Sequence, residues 1–241
     1  MNSRPLYKRV LIKLSGEAFM GAQQFGLEYS ACSLIANSIK EIADLGLEIG
    51  IVVGGGNIFR GNLAQAFGFR RTPADQIGMI ATMINGLSLS QALVSLGVDA
   101  HVMSAIPCPS VLDNYHWPKA LELLRQGSIP IFVGGTGNPY FTTDTAAALR
   151  ASEIQAEILL KATKVDGVFD KDPLKFPDAV QFKQLTYTQA LTDNLHIMDA
   201  TALAMCRENK IPIYVFNMFQ KGALTHVILG EGSGTLVTED D

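Results

Sequence analysis

The chain has 241 residues, 48% hydrophobic and 17% charged, a globular composition long enough to bury a full sheet. A formal net charge of −4 excludes the broad basic face of a nucleic-acid-binding protein but leaves room for a small anion pocket. Cys32, Cys108 and Cys206 are odd in number and far apart, which argues against a disulfide framework or a paired metal site and for a reducing compartment.

The N-terminal MNSRPLYKR has no apolar segment behind it, and no run of about 18 apolar residues is read anywhere, so the expectation is a cytoplasmic protein without a membrane span. The first predicted strand, Tyr7–Leu14, runs into Lys13-Leu14-Ser15-Gly16. Leu34, Ile35, Ile39, Ile42 and Leu45 then recur at helical spacing, with Gly46 as the stop. A second strand, Glu48–Val53, opens onto Gly54-Gly55-Gly56-Asn57-Ile58-Phe59-Arg60-Gly61. Bare main chain at a strand end with an arginine close behind suits phosphate. Yet Asn62 stands where a Walker loop needs lysine, and Phe59 where a dinucleotide loop needs its last glycine.

A long helix is predicted from about Pro73 to Leu96, with Ile77, Ile80, Ile84 and Leu87 in one stripe, widened by Met79 and Met83, and Gly97 ending it. It reads as a core or subunit-interface helix rather than a cofactor box. Strands follow at Ala100–Met103 and Ile129–Val133, the latter leading into GGTGNPYFTTD, Gly134 to Asp144. Asp144–Ala156 and Asp199–Asn209 are predicted helices, each with an acid at its positive end. Between them lie a strand at Glu157–Lys161, the segment KATKVDGVFDKDP and a polar excursion at 170–184, and a last strand spans Ile211–Phe216.

This alternation predicts an α/β fold, a three-layer α/β/α sandwich around a mainly parallel sheet, in one domain over residues 1–241. Ligands of such sheets bind at the carboxyl ends of the strands. Alone, Lys13 reads as a strand-end lysine reaching solvent, Asp144 as a helix cap and each glycine as a turn. Their coincidence at one predicted edge favours an anion site. The four histidines share no ligand spacing, so no metal-binding residue is assigned, and no G-x-S-x-G elbow is present.

Taken in order over nearly the whole chain, K-L-S-G-E, G-G-G-N-x-F-R-G, M-S-A-I-P, T-G-N-P-Y-F-T-T-D and K-A-T-K-V-D-G-V-F resemble the bacterial-type UMP kinases of the amino-acid kinase superfamily. The first two motifs belong to the superfamily; the TGNPYFTTD block with Asp75 upstream is specific to the UMP branch. The resemblance implies ATP-dependent phosphorylation of UMP to UDP in pyrimidine nucleotide biosynthesis, with Mg²⁺ arriving on ATP. It places Lys13, Leu14, Ser15, Gly16, Gly56 and Arg60 along the ATP phosphates, and Thr163, Phe169 and Asp172 at the adenosine. Gly55, Asp75 and Thr136, Gly137, Asn138, Pro139, Tyr140, Phe141, Thr142 and Thr143 would hold UMP, with Asp75 on the ribose. Lys13, Arg60, Asp144 and Asp199 would form the catalytic centre. The resemblance further implies a homohexamer and feedback inhibition by UTP, with no nucleic-acid or membrane partner. Ser90-Gln91 departs from the Arg-Asp of GTP-activated members, while Trp117 matches an aromatic near their regulatory surface, so GTP activation stays open. Two alternatives also remain: another phosphotransferase of the superfamily, and a non-catalytic nucleotide-binding module of the same fold.

Overall fold

The computed structural model describes residues 4–61, 67–193, 195 and 197–239. Asn62, where a Walker lysine would stand, and His196 lie outside them. Among the described residues nine strands form a single sheet: β1 (Arg9–Leu14), β2 (Glu48–Val53), β3 (Ala100–Ser104), β4 (Asp113–Asn114), β5 (Ile129–Val133), β6 (Ile158–Thr163), β7 (Gln184–Thr186), β8 (Ile213–Asn217) and β9 (Thr235–Thr238). Their order is β4-β3-β5-β2-β1-β6-β8-β9-β7, parallel throughout except between β8 and β9. The six predicted strands are all present, with ends shifted by a residue or two. β6 continues to Thr163, which puts Lys161 inside the strand rather than at its end. β4, β7 and β9 were not anticipated; at two to four residues they are too short to carry a periodic signal.

The helices are α1 (Tyr29–Ala43), α2 (Arg71–Ser95), α3 (Trp117–Arg125), α4 (Thr143–Glu153), α5 (Tyr187–Thr192), α6 (Ala200–Glu208) and α7 (Ala223–Ile228), with a 3-10 turn at Gly16–Met20. Alternation along β1 assigns the layers. Val10, Ile12 and Leu14 pack with Ile35 and Ile39 of α1, Leu89 of α2 and Ile228 of α7. Leu11 packs on the other face, with Leu124 of α3, Ala147 of α4, Tyr187 of α5 and Leu203 of α6. Both faces of the sheet are therefore covered, which is why the central strands read as near-continuous apolar runs rather than alternating ones.

In α1 the inward positions are Ile35, Ile39 and Ile42, while Leu34 and Leu45 of the predicted stripe are exposed. In α2 the predicted apolar surface divides between core and solvent. Ile77, Ile80 and Ile84 are 37%, 53% and 43% exposed, and the helix instead buries Met79, Met83, Gly86, Ser90 and Leu93. This second set also recurs at helical spacing, and it carries the small residue that close approach requires. A Cβ on Gly86 would stand 2.3 Å from Val133 Cγ1 of β5. A larger residue there would push the helix off the sheet, so contact distance rather than hydrophobicity selects the buried face. α2 is also long and apolar enough, at a mean hydropathy of 1.5, to meet the length-and-composition criterion for a membrane span, contrary to the sequence expectation; half of that window is buried against the protein. The excursion over 170–184 is mostly exposed and closed on itself by a bridge between Phe169 and Gln181 and an ion pair between Lys171 and Asp178.

Candidate active site

β5, β2, β1 and β6 are neighbours, so the four loops that follow them meet at one edge of the sheet. Lys13 and Lys161 are register partners on β1 and β6, and their side chains leave the same face of the sheet. Both end on Asp144 in the first turn of α4. Lys13 Nζ lies 2.7 Å from Oδ1, an ion-pair contact outside hydrogen-bond geometry, and Lys161 Nζ donates to Oδ2 at 2.7 Å. Lys161 also donates to the Ile197 carbonyl.

All three side chains are largely buried, with 10%, 14% and 15% of their surfaces accessible for Lys13, Lys161 and Asp144. Burial, the largest influence, pushes the Asp144 carboxyl up, but the two ammonium groups outweigh it and hold the group below the usual carboxylate range. Burial pulls the Lys161 ammonium below the usual lysine value, with Asp144 opposing that shift and Lys13 adding to it. Two cations on one anion leave positive charge facing the cavities.

Asp199 does not meet Lys13. Its Oδ2 accepts from Thr142 Oγ1 at 2.5 Å and Thr145 Oγ1 at 2.8 Å, while Oδ1 accepts from Ala202 N at 2.9 Å and so caps α6. Thr142 in turn caps α4 by accepting from Asp144 N at 3.0 Å. Asp199 therefore fixes the helix start that carries Asp144, one step removed from the lysines.

One cavity, of about 280 Å³, is lined by Gly55, Gly56, Arg71, Asp75, Met79, Thr82, Thr136, Asn138, Phe141, Thr142 and Thr143, among others. Asp75 accepts from Arg71 Nε at 2.7 Å and from Tyr140 N at 2.7 Å. Tyr140 has φ of 74°, a left-handed conformation costly for an aromatic residue, and the Asp75 contact helps hold it there. Gly137, Pro139 and Tyr140 shape this turn without walling the cavity. Two buried contacts set the walls. Thr82 Oγ1 accepts from Gly134 N at 2.7 Å, joining α2 to the loop after β5. Asn57 and Asn85 exchange amide hydrogen bonds of 3.0 and 2.7 Å, and Asn85 Nδ2 also donates to Gly54 O, pinning the glycine loop. The glycines are needed for that approach: a Cβ on Gly16 would lie 2.5 Å from Gly56 N, and one on Gly55 2.7 Å from Gly78 O.

Two further cavities adjoin on the other side of the lysines. One, of about 330 Å³, is lined by Lys13, Ser15, Glu17, Lys161, Thr163, Lys164 and Phe219 among others. The other, of about 420 Å³, shares Lys161 and Thr163 and extends to Phe169, Asp172 and Leu195. Among the described residues no group of three or more histidines, cysteines, aspartates or glutamates is placed to hold a metal ion.

The remaining expected positions lie as follows. Leu14 is fully buried in the core, so only its main chain reaches the site, where its carbonyl accepts from Gly54 N at 2.8 Å. Gly56 walls the 280 Å³ cavity beside Gly55 rather than the one around Lys13. Arg60 points to Glu17, with Nη2 2.7 Å from Oε1, and donates from Nε to Gly56 O at 3.0 Å. Ser90 is buried, donating to Ala100 O at 3.1 Å, and lines a separate 350 Å³ cavity with His101 and Asp113, while Gln91 and Trp117 are exposed. The sequence reading missed Lys161, Arg71, Thr82, Asn85 and Glu17 as parts of the site. Lys161 did carry a signal: RVLIKL and ILLKAT are both buried apolar strands interrupted by one lysine near the carboxyl end.

A doubly wound sheet with a lysine–aspartate–lysine cluster between nucleotide-sized cavities is the architecture of a phosphoryl-transfer enzyme that works by charge and position. The chain belongs to the amino acid kinase family, whose model matches residues 8–217. It is 56% identical over 236 residues to a uridylate kinase of Protochlamydia amoebophila, covering 97% of this chain and 94% of that protein. It is 50% identical over 240 residues to a uridylate kinase of Yersinia enterocolitica, with 99% and 96% covered. Among solved structures, UMP kinase from Bacillus anthracis superposes with a TM-score of 0.95 at 41% identity, over 99% of this chain and 98% of that one. UMP kinase from Ureaplasma parvum gives 0.92 at 39% identity, over 97% and 99%.

Proposed function

We propose that this protein is a nucleoside monophosphate kinase that transfers the γ-phosphoryl group of ATP to UMP, yielding ADP and UDP. The observation that carries this reading is the Lys13–Asp144–Lys161 cluster standing between the Asp75 cavity and the pair of cavities that ends at Phe169 and Asp172. The uridylate kinase relatives at 50–56% identity support the same activity.

The acceptor is already a phosphate, largely dianionic near neutral pH because its second pKa is about 6, so no general base is required. An acceptor phosphate oxygen bonds to the γ-phosphorus as the bond to the β–γ bridging oxygen breaks, and that electron pair leaves on ADP. The protein's task is to hold two anions in line and offset their repulsion. Lys13 and Lys161 supply fixed positive charge where negative charge develops on the transferring group and the leaving oxygen, with Asp144 orienting both and Asp199 holding Asp144 through Thr142. Ser15 and Gly16 offer main chain and hydroxyl to the ATP phosphates, and Thr163, Phe169 and Asp172 receive the adenosine. Asp75 takes the UMP ribose hydroxyls, because a carboxylate has lone pairs to spare beyond Arg71 and Tyr140 N. Thr136 to Thr143 read the uracil and phosphate, and Arg60 adds charge at the rim. Mg²⁺ would be held mainly by the ATP phosphates and water, as this ion prefers, and would supply further positive charge there. UTP binds at the UMP site as a feedback inhibitor. The exposed Ile77–Ile80–Ile84 stripe of α2 is the face on which copies assemble, up to a hexamer. The reaction takes place in the cytoplasm, in pyrimidine nucleotide synthesis, from a single domain spanning residues 1–241.

ADP release with ATP and UMP, CMP or dUMP at matched concentrations tests this. At position 4 and the adjacent nitrogen, CMP reverses the donor and acceptor that UMP presents, stranding buried groups. UMP should therefore lead CMP in kcat/KM by at least about 10²-fold. Equal efficiency refutes base reading by the Thr136–Thr143 loop. Nucleotide binding without turnover of any of them makes the chain a non-catalytic binding module.

A further inference from the structure

Glu17 is an unexpected residue where it stands. It follows the Ser15 cap, whose hydroxyl accepts from Glu17 N at 3.3 Å, and its carboxylate lines the 330 Å³ cavity with Lys13, Lys161 and Lys164. It is the one acid among the described residues of that wall. A cavity of lysines is suited to polyphosphate, and a carboxylate within it repels such a ligand. Capping of the turn does not account for it, since Ser15 performs that. The carboxylate's partners give it a purpose. Oε1 is 2.7 Å from Arg60 Nη2 and Oε2 is 4.0 Å from Lys164 Nζ. Arg60 also donates to the carbonyl of Gly56, a wall residue of the other cavity. Glu17 thus sits on the donor side while gripping an arginine rooted on the acceptor side.

We propose that Glu17 is a positioning residue that couples the two nucleotide subsites by holding Arg60 back from the acceptor phosphate until the ATP phosphates occupy the lysine-lined cavity. This rests on reading Arg60 as a ligand of the acceptor phosphate, and not only of the ATP phosphates along which the family resemblance sets it. Polyphosphate beside Glu17 repels its carboxylate, which loosens the grip on Arg60 and frees its guanidinium for the acceptor. By linkage, UMP then favours ATP binding to the same degree. Glu17 and Arg60 are about 40% exposed, so the coupling is modest, about two- to fivefold in affinity.

Isothermal titration of UMP into the full chain, with and without a non-hydrolysable ATP analogue and Mg²⁺, tests the proposal. In the unaltered protein the analogue should tighten UMP binding about two- to fivefold. Glu17→Gln should bind UMP tighter by a similar factor without the analogue and gain nothing further when it is added. Glu17→Asp, which keeps the charge but loses a methylene of reach, should behave like Glu17→Gln and serves if that variant does not fold. Arg60→Ala should weaken UMP binding and abolish the coupling. If Arg60→Ala binds UMP normally, the reading of Arg60 is what fails. If Arg60→Ala weakens binding while both Glu17 variants retain the original coupling, the Glu17 proposal alone is overturned.

Discussion

Replacing Asp144 with asparagine keeps the side chain's shape and removes the charge on which two buried ammonium groups converge. At 2.7 Å and an effective dielectric of about 20, each Lys–Asp attraction is about 6 kcal/mol, most of it offset by the cost of taking the charges out of water. Accessibilities of 10–15% mean that little of this is screened by solvent. What remains after the substitution is two like charges without a counterion, a situation that costs about 3–5 kcal/mol. For a chain of this size, even the low end of that range lowers Tm by about 6–12 °C. Lys13 and Lys161 also lose their orientation, so kcat should fall by at least about 10²-fold. Unpaired like charges also leave a signature that a simple packing defect lacks. ATP offers the lysines new anionic partners, so it should raise the Tm of Asp144→Asn by more than it raises that of the unaltered protein. Differential scanning fluorimetry across an ATP titration, paired with coupled-assay kinetics, measures both. A variant within about 1 kcal/mol of the original, with kcat within tenfold, would show that the cluster is neither strained nor catalytic.

Lys13→Ala and Lys161→Ala should each lower kcat by at least about 10²-fold while ATP binding by titration is better preserved; a near-normal kcat in either removes that lysine from the transferring group. Asp75→Asn should raise KM for UMP more than it lowers kcat and leave KM for ATP almost unmoved, and an ATP-selective defect would assign Asp75 to the wrong nucleotide. Because the Asp144 carboxyl is held below its ordinary value, its contribution to stability is fully present above the unfolded value of about 3.9 and is lost only as pH falls through the depressed folded one, so acid titration of Tm should show the Asp144→Asn difference shrinking there. Lys161 runs the other way. Burial lowers it from 10.5, so between its folded value and 10.5 only the unfolded chain holds the proton, and this group's contribution to stability rises with pH while kcat falls. Urea unfolding and kcat measured over the same alkaline range check that opposition, and a parallel decline in the Lys161-dependent part of both would refute it.

Much of the fold is local information. Short β-branched apolar runs and period-3.6 patterns, with Gly46 and Gly97 as stops, mark six strands and four helices, and their alternation defines a covered parallel sheet. The glycine loop, Lys13, the TGNPYFTTD segment and Asp144 are legible because backbone freedom, charge and caps are properties of short stretches, whereas Asp75 came only from the family resemblance. What the sequence could not decide depends on distance in space. Lys161 joins the site only because β6 pairs with β1 in a register that sets it beside Lys13, 148 positions away in the chain. Arg60 reads as a phosphate ligand, and only the fold puts Glu17 within reach of it. Asp199 reads as a helix cap and is one, but its second oxygen holds the hydroxyls of Thr142 and Thr145 from another helix. α2 offers two apolar faces to a sequence reader, and the inward one is chosen by the room at Gly86 against Val133 rather than by the larger isoleucines. Periodicity tells a chain which residues share a face; only packing distance and strand register decide what that face meets.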